Sequence, residues 1–63
     1  MHADAAQLTS IESALADLTE RVTAIADRHA GTHDDVVAGA LYEVERSLRA
    51  AVRRLSAVIR QLG

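Results

Sequence analysis

Cysteine, proline and lysine are all missing from this chain of 63 residues, glycine occurs three times, and Tyr42 is the one aromatic residue. Without cysteine, disulfide staples and thiolate chemistry are excluded. A single tyrosine cannot build the stacking platform that bases, sugars or flavins require. The basic residues are all arginine, and the net charge of -2 with a pI near 5.8 lacks the basic excess of proteins that coat nucleic acid or anionic membranes. No run approaches the roughly 18 consecutive apolar residues of a membrane span. The opening Met1, His2, Ala3 and Asp4 carry no export or lipidation signature. The expectation is a cytoplasmic protein with no membrane span.

What is present is alanine, leucine and valine in helical order. Hydrophobic residues make up 49% and charged residues 25%, the balance of a folded chain rather than a disordered tail. At this length the chain is a single small domain with a modest core. Leu8, Leu15 and Val22 alternate with Ile11, Leu18 and Ile25 in steps of three and four, which makes them positions a and d of a heptad; His29 continues the a row. A second register runs through Leu41, Leu48, Leu55 and Leu62 at a, with Val37, Val44, Ala51 and Val58 at d. This period excludes strands.

The two registers are out of phase, so the chain must break between them. Gly31 can adopt the left-handed conformation that ends a helix. Thr32 is the expected N-cap of the next helix, with Asp35 at N3 close to a capping box; Asp4 is the expected N-cap of the first. The predicted fold is an all-α antiparallel hairpin: helix one about 4–30, a turn about 31–33, and helix two about 33–62. Folding it back places residues whose numbers sum to about 63 side by side. The acids Asp4, Glu12, Asp17 and Glu20 would then neighbour Arg46, Arg49, Arg53, Arg54 and Arg60, while Arg21 would fall near Glu43 and Glu45. Exposed pairs of this kind contribute about 0.2 to 1 kcal/mol each and so set register more than stability.

Two helices cannot hide both of their apolar stripes from water. Helix two is the sharper case, because Val52 and Ile59 at e widen its stripe beyond what one neighbour covers. The expected answer is self-association of hairpins into a four-helix bundle, as a homodimer or a tetramer. Its interface would draw on Leu8, Ile11, Leu15, Leu18, Val22 and Ile25 from helix one. Helix two would add Leu41, Val44, Leu48, Val52, Leu55, Val58, Ile59 and Leu62. A smooth side of small residues on helix one, including Ala6, Ser13 and Ala16, offers a close approach for another helical protein.

Chemistry is thin. His29, His33, Asp34 and Asp35 cluster at the bend and are residue types that zinc accepts, but Gly31 separates the histidines and no metal-ligand spacing is present; complementing the helix ends explains each residue without a metal. Arg46, Arg53 and Arg60 repeat every seven residues at the outward position f, with Arg49 beside them. They form the one candidate anion-binding stripe, and the alternative reading as a nucleic-acid-associated regulator rests on it. Against that reading, no aromatic residue interleaves the row. The hydroxyls Thr9, Ser10, Ser13, Thr19, Thr23, Ser47 and Ser56 scatter over helix surfaces without a histidine beside them, and there is no glycine-rich phosphate loop. The chain is therefore read as a small interaction or scaffold module, not an enzyme, without catalytic residue or cofactor.

Overall fold

The computed structural model describes residues 3–63, leaving Met1 and His2 outside it. Helix α1 spans Ala3–His29 and α2 spans Asp35–Leu62, packed on each other as a hairpin in a rod of 50 × 14 × 9 Å. Among the described residues there is no strand, and no helix is long and apolar enough to cross a membrane.

The turn is tied by a short chain of hydrogen bonds. Ala30 N–H still reaches the Ala26 carbonyl at 3.0 Å, and Gly31 then takes φ +77°, which an L side chain tolerates poorly. The Thr32 hydroxyl donates to the His29 carbonyl at 2.6 Å and accepts Asp34 N–H at 3.0 Å. Asp35 reaches back so that its carboxylate accepts Gly31 N–H at 2.6 Å. These contacts correct the expected caps. Asp34, not Thr32, is the N-cap residue of α2, and Asp4 lies inside the first turn of α1. Thr32 and Asp35 still act reciprocally, one residue displaced from a capping box, because Thr32 is held against the end of α1.

The glycines give a paired prediction. A Cβ at Gly39 meets nothing within 4 Å on the exposed back of α2, so Gly39→Ala should stabilise the helix by about 0.8 to 1 kcal/mol. Gly31→Ala also meets open space, but its positive φ makes the substitution cost about 1 to 2 kcal/mol. Thermal melts followed by circular dichroism should move in opposite directions for the two variants.

The seam between the helices differs from the expected one. In both helices the residues turned toward the partner are at a and e, whereas those at d are exposed. The e row of α1 is Ala5, Glu12, Thr19 and Ala26, small or polar; that of α2 includes the larger Val52 and Ile59. Small residues against large ones let the helices approach, and near the bend Ala26 and Ala38 are fully buried. Thr19, expected on the surface, is buried as well, and its hydroxyl is satisfied by the Leu15 carbonyl at 2.7 Å. Among the described residues these three are the whole of the buried interior.

Candidate functional site

The hairpin has two unlike sides. At about 100° per residue, facing a and e toward the partner helix puts d about 80° to one side and b about 80° to the other. Because α1 and α2 run antiparallel, their d rows turn the same way. One side therefore carries Ile11, Leu18 and Ile25 of α1 beside Val37, Val44 and Val58 of α2, each between 40% and 52% exposed, with Ala51 among them. Of the residues expected at an intermolecular interface, Leu8, Leu15, Val22, Leu41, Leu48, Leu55 and Leu62 are half-buried between the chain's own helices. Val52 and Ile59 join them there. These two were expected to be left over by the hairpin; it uses them, and the d rows are what it leaves over.

The opposite side is polar and holds the contacts that cross between helices. The Ser56 hydroxyl donates to Glu12, the Thr23 hydroxyl to Glu45, and the Tyr42 phenol to Asp27 at 2.6 Å. Glu12 with Ser56 and Thr23 with Glu45 stand about five residues out of step with the register expected from the turn alone. With this offset Glu20 still shares a recess with Arg49 and Arg53, as expected. Arg46 pairs within α2 with Glu43 at 3.2 Å, and Arg49 with Glu45 at 3.7 Å. Thr23 stands where Arg21 was expected, next to Glu45.

The arginine row lies on this polar side, but it does not form a field of one sign. Arg49 and Arg53 share a recess of about 220 Å³ with Glu20, Ala16, Thr19 and Val52. Its volume is below the roughly 300 Å³ at which small-molecule pockets begin. Tyr42 is the one group here with a clear titration signature. Its hydrogen bond to Asp27, then burial, then the nearby negative charges of Asp27, Glu45 and Asp35 raise its pKa above the ordinary tyrosine value. The raised value favours the neutral phenol in the folded chain. The stabilisation is thus complete below about pH 10 and is lost as pH rises through the folded value. A spectrophotometric titration of the single tyrosine should give a midpoint above that of free tyrosine, and Asp27→Ala should lower it.

At the bend, one carboxylate oxygen of Asp34 lies 3.5 Å from both His29 Nδ1 and His33 Nε2. Asp35 is turned away to Gly31 N–H. Among the described residues no group of three or more histidine or acidic side chains is placed to hold a metal ion. The two His–Asp contacts instead bridge the end of α1 and the start of α2, where the helix termini favour these charges. What the geometry isolates is the apolar side, about 32 Å long and free of charged residues along its d rows from Ile11 to Ile25 and from Val37 to Val58. Comparison of the chain with protein-family models, with curated proteins and with solved structures finds no match.

Proposed function

We propose that this chain is a small self-associating interaction or scaffold module, without catalytic activity of its own, which pairs through the apolar side of the hairpin. The observation that carries the reading is the coincidence of both d rows on one side. Either row alone would be an ordinary scatter of exposed aliphatic residues; together they form a contiguous patch of the kind that marks interaction sites. The d rows run over about 32 Å of the 14 Å wide rod, a face on the order of 450 Å², which is about half of the roughly 800 Å² per partner of a specific interface, so the residues flanking the rows complete the contact. Two copies laid face to face would form a four-helix bundle, the smallest closed arrangement that covers it. Sedimentation of the native chain over a range of concentrations tests this reading. A mass rising from one chain to two, with helicity rising alongside it, is expected; a folded monomer at high concentration would overturn it.

A further inference from the structure

We infer that the pairing is linked to anion binding: small oxyanions of the phosphate class, held by Arg21, Arg28 and Arg54 along the edges of the joined apolar sides, tighten the dimer. The inference rests on the self-association reading above and adds its regulation. With a and e turned to the seam, the d rows point within about 10° of the direction the apolar side faces, and the g rows follow at about 50°, on the outer flank of each helix. The g row of α1 ends in Arg21 and Arg28, that of α2 carries Arg54, and the remaining g positions hold alanine, serine and glutamine. The three arginines are exposed, and among the described residues none of them forms an ion pair. The acids of this flank stand one row farther out, at c, about 90° from the facing direction: Asp17, and Glu43, which is engaged by Arg46 at 3.2 Å. Asp4 closes the d row at the far end of α1, about 26 Å along the helix from Arg21.

Two such sides laid together bring like charge to the edges of the bundle whichever way the copies are turned. The g row of each helix meets the g row of the helix facing it. If α1 faces α1, two arginines of each copy share one edge and one of each copy the other; if α1 faces α2, both edges carry all three kinds. In either case only arginine flanks the contact, and an anion between the rows offsets the repulsion. The guanidinium fork matches the oxygens of phosphate bidentately. A place for such a group is present on α1, where Arg21 and Arg28, one heptad apart, border a recess of about 280 Å³ against Ala24 and Ile25. That volume is below the roughly 300 Å³ at which small-molecule pockets begin, which favours a small free oxyanion over a larger ligand. Ile25 belongs to the d row, so a second copy walls the recess on that side and shields the anion from bulk water, where its attraction to the arginines is weaker.

Sedimentation of the full chain in inorganic phosphate tests the linkage, with chloride replaced so that ionic strength stays constant at about 0.15 M. One phosphate at each edge, bound with a dissociation constant of a few millimolar, should lower the dimer dissociation constant about tenfold at about 10 mM phosphate. Arg21→Gln, Arg28→Gln and Arg54→Gln together lie outside the a/e seam and should keep the helicity of the hairpin while losing this response. Arg46→Gln, Arg53→Gln and Arg60→Gln together remove the same charge from the polar side and should keep the response. A native dimer indifferent to phosphate, a response that survives in the first triple variant, or one that vanishes in the second would each overturn the inference. The same runs separate the two levels: a dimer that ignores phosphate rejects only the linkage, whereas a chain that stays single with and without phosphate rejects the self-association reading beneath it.

Discussion

Leu18→Asp combined with Val44→Asp should raise the dissociation constant of the assembly about a thousandfold. Each residue is nearly half exposed in the hairpin, so its remaining burial on association amounts to about 1 kcal/mol. Four such side chains per dimer give about 4 kcal/mol, before counting the cost of setting four carboxylates in the interface. Neither residue belongs to the seam between α1 and α2, and both exposed positions accept a charge within the lone hairpin. Sedimentation should therefore show a single chain at concentrations where the native protein is paired. An unchanged mass would remove the apolar side from the account of assembly.

A pair of charges placed on α2, 100° round from the row of Val44, should act quite differently. Val52→Asp with Ile59→Asp puts carboxylates into the a/e seam, where Val52 lies across from Thr19 and Ala16. The same seam already holds Glu12 and Glu45, each accepting a hydroxyl hydrogen bond from Ser56 or Thr23. Added carboxylates there lose apolar packing and stand beside like charge, a destabilisation of about 3 kcal/mol or more for the pair. That is comparable with the whole stability of so small a domain. The variant should lose helical ellipticity at every concentration, whereas the face variant should lose only its concentration dependence. Retained helicity in Val52→Asp with Ile59→Asp would mean that the e row does not hold the hairpin together.

The period of three and four was enough to read two helices and their bend from the residues, since no other structure repeats Leu41, Leu48, Leu55 and Leu62 on one side. It could not say which side the hairpin would use. Positions a with d and positions a with e both alternate steps of three and four, and on α2 both rows are apolar but for Glu45 at e. The choice falls to α1, whose e row of Ala5, Glu12, Thr19 and Ala26 has few large apolar groups and so does not register as a core. Closeness of approach, and hydroxyl partners for the two glutamates, favour that row over the larger side chains at d. Thr19 is the clearest instance: its hydroxyl looks like a surface group until the Leu15 carbonyl is seen to accept its hydrogen bond. The register was misread for a related reason, as the stagger of the cross-helix hydrogen bonds depends on side-chain partners that spacing does not reveal. For the candidate face, the d residues were legible as apolar; that both rows share one side follows only once the seam is known.

That Ala26, Ala38 and Thr19 are the only fully buried side chains among the described residues bears on the life of the chain. A freshly made hairpin with so little to hold it shut opens often, and each opening presents a helix backbone to any protease nearby. On the proposed pairing, closure is reinforced by a second copy, so survival depends on how many copies are present. Turnover would then run fast when the chain is scarce and slow when it is abundant, making its accumulation a threshold phenomenon rather than a proportional response to synthesis.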